Sequence, residues 1–304
     1  MEQMLSLSPS RRGHLAMLGF SALVAGSFSL GRLASPFIAP EAMTVGRFVL
    51  SALLVGSAAA TLGGGIARAA LAAPWRYGVL GGLMGLYFVL MFEGLKSAGA
   101  VPMAAVFTLT PVMAAGFGWV LMRQAMTARM ALALAIGATG ALWVIFRADL
   151  AALLAMDIGR GEQLFFLGCI AHALYAALVR RLNRGESATL FSAGTMVGGA
   201  LVVGLWGWRE VWMTQWTVLP AIVWICLLYV ALAATGATFV LLQFASLRLP
   251  AAKVMAYTYL VPSWVILWEL ALGQTAPPPA VLGGVTLTVV ALWLLLKEEP
   301  PRRD

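Results

Sequence analysis

Charge is scarce in this chain. Only 11% of its 304 residues are Asp, Glu, Lys or Arg, against about 25% in soluble domains, so a globule covered by polar surface is excluded. Cysteine and histidine are scarcer, two of each. Cys169 and Cys226 both fall inside apolar runs, which excludes a disulfide framework and a thiolate metal cluster. No G-x-x-x-x-G-K-[ST] cradle, H-E-x-x-H, C-x-x-C or G-x-S-x-G is present. An ATP-driven pump is thereby excluded for the chain acting alone, and the loops are too short for a soluble catalytic domain. We assign no catalytic residue, no metal and no cofactor.

What the chain has is apolar length. Hydrophobic residues make up 62% of it and the mean hydropathy is +0.91. Ten apolar runs each have the length that crosses about 30 Å of hydrocarbon: 14–37, 42–61, 77–95, 101–122, 128–146, 163–181, 188–208, 218–245, 252–272 and 280–296. The expected class is an all-α integral membrane protein. The first run, after Arg11 and Arg12, is too long for a signal peptide and is followed by many spans. Gly63-Gly64-Gly65, Gly159 and Pro277-Pro278-Pro279 punctuate the joints.

With the N-terminus inside, the inner segments carry 14 of the 20 basic residues: Arg11, Arg12, Arg68, Arg76, Arg123, Arg129, Arg180, Arg181, Arg184, Arg248, Lys253, Lys297, Arg302 and Arg303. The positive-inside rule then predicts cytoplasmic tails at 1–13 and 297–304, halves at 14–146 and 163–296, and an extracytoplasmic connector at 147–162. The pI near 10.1 reflects this topology. Anionic inner-leaflet lipid accounts for it, without a nucleic-acid or nucleotide partner.

The two halves echo each other. FEGLK at 92–96 answers FASLR at 244–248, Pro111 in the fourth span answers Pro262 in the ninth, and ALW recurs at 141–143 and 291–293. Five spans per half is an odd number, so the second half enters the membrane with opposite orientation. Inverted repeats of this kind mark secondary transporters, with a substrate site near the midplane between the halves. Pro111 and Pro262 are then hinge candidates, each freeing a carbonyl that faces a cavity or is rescued by a neighbour; a kink that only improves packing is the alternative.

Ionisable groups within the membrane are functional candidates by default. His172, with Tyr175 on roughly the same face, either lines a cavity or packs against a neighbouring carbonyl. Arg32 and Arg47, near the outer ends of the first two spans, either snorkel to headgroups or offer a fork to a carboxylate. Glu93 is a candidate ion partner for either, and Glu269 lies where its charge reaches the interface. Ser27, Phe28, Tyr87, Thr108, Thr235, Thr238, Tyr257, Tyr259 and Trp264 supply hydroxyls and rings that either line a pocket or cement helices. The glycine pairs Gly78/Gly82, Gly81/Gly85 and Gly194/Gly198 read as packing surfaces.

AVPMAAVFTLTPVMAAGFGWVLMRQAMT (100–127), GATGALWVIF (137–146) and AAKVMAYTYLVPSWVILWELALGQ (251–274) resemble the EamA module of the drug/metabolite transporter superfamily. GSFSLGR (26–32) and MTVGRF (43–48) fit it too, Arg47 standing at the family's second-span arginine. The usual tryptophan before the first-span glycine is Ala25 here, and the Gly-Glu that usually ends the fourth and ninth spans is Arg123-Gln124 and Gly273-Gln274. The resemblance implies a ten-helix secondary transporter in a bacterial-type inner membrane, both termini cytoplasmic, exporting small metabolites. General likeness is greatest to bacterial exporters of the YddG type, which handle aromatic and other neutral amino acids. The leading expectation is alternating-access export of such amino acids, by facilitated diffusion or by proton antiport through His172 or Glu93. Multidrug or cationic-compound efflux is the alternative and requires an acid in the cavity. A membrane-embedded enzyme or structural protein comes last, because no catalytic cluster is present and a structural role needs no inverted repeat.

Overall fold

The computed structural model describes residues 9–62, 72–123, 126–155, 157–249 and 251–296. The tails 1–8 and 297–304, the Gly63-Gly64-Gly65 joint, Arg68 and Gln124 lie outside the described residues. Ten helices are long and apolar enough to cross a membrane. In order they are Pro9–Ala34 (α1), Pro40–Thr61 (α2), Trp75–Leu95 (α3), Ala100–Met122 (α4), Ala128–Ile145 (α5), Arg160–Val179 (α6), Ala188–Trp206 (α7), Ala221–Ser246 (α8), Lys253–Ala271 (α9) and Pro279–Leu296 (α10). Two short helices, Leu150–Leu154 and Trp208–Met213, ride on connectors. Among the described residues there is no strand. The largest difference at a start is in α1, which begins at Pro9 and takes Arg11, Arg12 and His14 into its first turns. Proline suits the first helical position, and backbone bonding carries the helix past the apolar stretch.

Small residues set the helix contacts, as expected where lipid offers no hydrophobic drive. A Cβ on Gly81 would strike the backbone of Gly199, which fixes the closest approach of α3 to α7; Gly140 and Gly284 do the same for α5 and α10. Gly85, Gly194 and Gly198 also face close neighbours, whereas Gly78 meets nothing.

The two prolines do not bend continuous helices. Helix α4 is interrupted at Thr108–Leu109, between Ala100–Phe107 and Thr110–Met122. Helix α9 is interrupted by a 3-10 turn over Tyr257–Leu260, and α-helix resumes at Val261. Pro111 and Pro262 each take the second position of the resumed helix, where a missing N–H is tolerated. The Phe107 carbonyl, which Pro111 cannot bond, accepts instead from the Thr110 hydroxyl at 2.6 Å. Thr108 and Thr258 play matched parts, donating to Ala105 and Met255 at 2.6 and 2.8 Å. The interruptions coincide in depth. Ala100–Phe107 packs on the α9 segment Val261–Ala271, and Thr110–Met122 packs on Ala251–Ala256. A third irregularity lies in α8, where Leu232–Ala237 widens into a π-helical turn.

Both α4 and α9 are followed by left-handed backbone, Arg123 at φ +52° and Gly273 at φ +71°. Glycine takes this conformation freely and arginine does not, which gives the glycine usual at the fourth-span position its physical reason. Replacing Arg123 by Gly should therefore stabilise the protein by about 1 kcal/mol, and Gly273→Ala should cost a similar amount. Unfolding midpoints of the detergent-solubilised variants check both signs.

Candidate functional site

At the centre of the bundle α1, α3, α4, α6 and α8 surround a cavity of about 20 Å³. Helix α1 contributes Phe20, Val24 and Ser27, and α3 contributes Met84, Tyr87 and Phe88. Phe107, at the α4 interruption, and His172 of α6 close two sides. Ala234, Thr238, Phe239 and Leu242 come from and just beyond the widened turn of α8. The rings form one contact network: His172 stacks on Tyr87 at 4.7 Å between centroids and lies 5.3 Å from Phe107, and Tyr87 and Phe88 are 4.9 Å apart. Polar groups in this wall are few. Ser27 donates to the Val24 carbonyl at 2.6 Å, and His172 Nδ1 is buried with no hydrogen-bond partner. None of the lining residues is an acid. Leu242 also walls a smaller cavity, about 10 Å³, where Tyr175 meets Gln243 and Met255.

Four sequence candidates thus meet at the cavity: Ser27, Tyr87, His172 and Thr238. Tyr175 lies next door, its hydroxyl buried and unpartnered. Phe28 stands behind the wall, 5.9 Å from Phe107 and 5.7 Å from Phe165. Thr108 is spent on the α4 interruption. Span nine contributes less than expected. Tyr257 bonds His14 Nδ1 at 3.1 Å, Tyr259 lies against Gly137 of α5, and the Trp264 indole donates to Ser21 at 3.3 Å. None of these three lines the cavity.

The charged candidates need correction. Glu93 partners neither arginine; it pairs with Lys96 at 2.6 Å on an exposed surface, because a lysine one turn away is nearer than either arginine. Arg32 does not snorkel freely. Its Nη1 donates to the Leu95 and Ala98 carbonyls and so ties down the end of α3. Arg47 is fully buried: Nε donates to Thr235 Oγ1 at 2.9 Å, Nη2 reaches the Ala234 carbonyl at 3.5 Å, and the guanidinium lies 3.5 Å from the Phe88 ring centroid. Thr235 is therefore its partner. Glu269 is half-buried near the end of α9.

Sequence reasoning missed Phe20, Phe88, Phe107 and Phe239, which no pattern separates from lipid-facing phenylalanine. It also missed a clamp between the halves. Arg76, read from the sequence as a topology charge, is fully buried; it donates to the carbonyls of Ala73 and Leu182 and meets Glu186 at 2.6 Å. This ties the start of α3 to the α6–α7 joint. The repeat's counterpart contact, between the α1–α2 joint and the start of α8, holds instead an open cleft of about 550 Å³ lined by Phe37, Ile38, Leu219 and Pro220 among others.

The EamA-like transporter family matches twice, over residues 11–146 and 159–297. The chain belongs to that family, and is a multi-pass membrane transporter. A Bacillus subtilis (strain 168) protein described as the uncharacterized transporter YyaM is 24% identical over 284 residues, spanning 92% of each chain. A crystal structure with 19% identity superposes with a TM-score of 0.70 over 95% of this chain and 97% of that one, a likeness of fold.

Burial alone would raise the Glu186 carboxyl, but the Arg76 hydrogen bond, the Arg184 amide and the guanidinium charge outweigh it and hold the carboxyl below its ordinary range. A depressed carboxyl contributes stability above its unfolded pKa and loses it as pH falls through the folded value. Glu186→Ala should cost about 3 kcal/mol at neutral pH by stranding a buried guanidinium. The difference from the parent protein should shrink on acidification through the carboxylate range, read from unfolding midpoints across pH.

Proposed function

We propose that the protein exports small neutral metabolites, aromatic and other neutral amino acids first among them, across a bacterial-type inner membrane by alternating access, with both termini cytoplasmic. The observation that carries this reading is the central cavity: a wall of aromatic rings, a few hydroxyls, one imidazole, and no acid among its lining residues. An apolar side chain finds its surface on Phe20, Phe107 and Phe239. The zwitterion finds Ser27, Thr238 and the open Nδ1 of His172. A cavity of about 20 Å³ has room for little more than one water, so substrate enters only as the surrounding helices part. The interrupted helices α4 and α9 supply the hinges, with Pro111 and Pro262 marking where each resumes.

Coupling follows from what reaches the cavity. Glu93 is occupied with Lys96 at the surface, which leaves His172 as the proton-carrying candidate; its ring stacks on Tyr87 and lies tilted against Phe107. Facilitated diffusion fits this placement best. Cationic-compound efflux would call for a carboxylate in the wall, and none of the lining residues supplies one.

Proteoliposomes carrying the purified protein should take up labelled neutral or aromatic amino acids saturably without a pH gradient. His172→Ala should lower the rate roughly three- to tenfold by removing a stacked ring while leaving its pH profile unchanged. Uptake only under an imposed gradient would establish proton coupling. Movement of cationic dyes with no amino-acid uptake would replace the proposal by the drug-efflux reading.

A further inference from the structure

We propose that Arg47 is the group that receives the substrate's carboxylate, reached from the central cavity past the ring of Phe88. The inference rests on the transporter reading above and adds to it a recognition chemistry: the carried molecule bears a carboxylate.

Two other arginines, Arg76 buried and Arg32 exposed, show what a structural arginine looks like in this molecule. Arg76 uses its donors on two carbonyls and the Glu186 carboxylate. Arg32 spends Nη1 on two carbonyls at the end of α3. Arg47 is different. A guanidinium carries five N–H groups, yet here one bonds a threonine hydroxyl, one makes a long contact to a carbonyl, and Nη1 is buried with no partner. Neither the Arg76–Glu186 nor the Lys96–Glu93 ion pair involves it, and the groups it bonds are a hydroxyl and a carbonyl, not a carboxylate. A buried unpaired charge is costly, and its retention calls for a partner that arrives.

The position supports an arriving anion. Both Phe88, under the guanidinium, and Ala234, whose carbonyl it touches, line the central cavity. The charge therefore sits one side chain behind the wall. The backbone it touches is the widened turn Leu232–Ala237 of α8, the kind of irregularity that recurs at functional sites. Ser51, one turn along α2, braces the same turn by donating to the Ala231 carbonyl at 2.6 Å. Rotation of the Phe88 ring exchanges a cation–π contact for a bidentate, charge-assisted pair with the incoming carboxylate. The zwitterion's ammonium is then left to Ser27 and Thr238 in the cavity wall.

The test measures ligand-induced shifts of the unfolding midpoint on the full chain in detergent. The probes are L-phenylalanine, L-phenylalaninamide, phenethylamine and 3-phenylpropionate. Phenylalanine and phenylpropionate should stabilise the protein, and the amide and amine should not. Arg47→Gln should abolish the acid-dependent shift, and Arg47→Lys, which keeps charge but loses the fork, should weaken acid binding on the order of tenfold. If Arg47→Gln does not fold, the lysine variant decides: unchanged acid affinity there overturns the assignment. Equal stabilisation by acid and amide, or by no carboxylate at all, also overturns it. Stabilisation by phenylpropionate but not phenylalanine, lost in the Arg47 variants, would uphold the arginine's role while sinking the amino-acid reading.

Discussion

A backbone amide or carbonyl inside hydrocarbon has no water to turn to, so each must find a partner within the protein. Continuous helix meets that demand automatically, and any departure from it must be compensated nearby. The fold departs from it in three places, α4, α8 and α9, and each departure is compensated by side chains. Thr110 accepts the duty Pro111 cannot perform, Thr108 and Thr258 cover the turns before the prolines, and Ser51 and Arg47 of α2 brace the widened turn of α8. Two of these three helices give residues to the central cavity. The irregular backbone is the cavity's frame, and the cost of keeping it is met by hydroxyls, one of which, Thr108, read from the sequence as a candidate substrate ligand.

The number and order of the spans could be read from apolar length alone, because the bilayer imposes one dimension on every crossing segment. The matching of Pro111 with Pro262 was legible for a related reason: proline is costly in a helix, so two at corresponding positions carry information. The site was legible only in part. His172, Tyr87, Ser27 and Thr238 stood out as polar or aromatic at mid-span. Phe20, Phe107 and Phe239 could not, since a phenylalanine facing a cavity and one facing lipid are the same letter. Arg47 was misplaced because distance from a helix end was taken as depth; its partner, Thr235, lies in the middle of α8. Glu93 was misassigned because a long-range partner was sought while Lys96 stood one turn away.

Charge shows the same tension between local and global demands. Arg123 holds a left-handed backbone that glycine would take without strain, at one of the positions where basic residues bias topology. Arg76, read as a second such residue, is instead buried and joined to Glu186 across the two halves. A count of basic residues cannot separate the two, since it registers the side of the membrane and not whether the guanidinium reaches water.

The coincident interruptions of α4 and α9 divide the bundle by depth as well as by repeat. Above the breaks, Ala100–Phe107 and Val261–Ala271 form one packed pair; below them, Thr110–Met122 and Ala251–Ala256 form another. Each pair mixes one half-helix from either repeat, so the two repeats interlock as two stacked storeys, one on either side of the breaks. In the alternating-access reading proposed above, such interlocking would let one pair tilt while the other keeps its packing, so that a door at one face of the membrane would not drag open the door at the other.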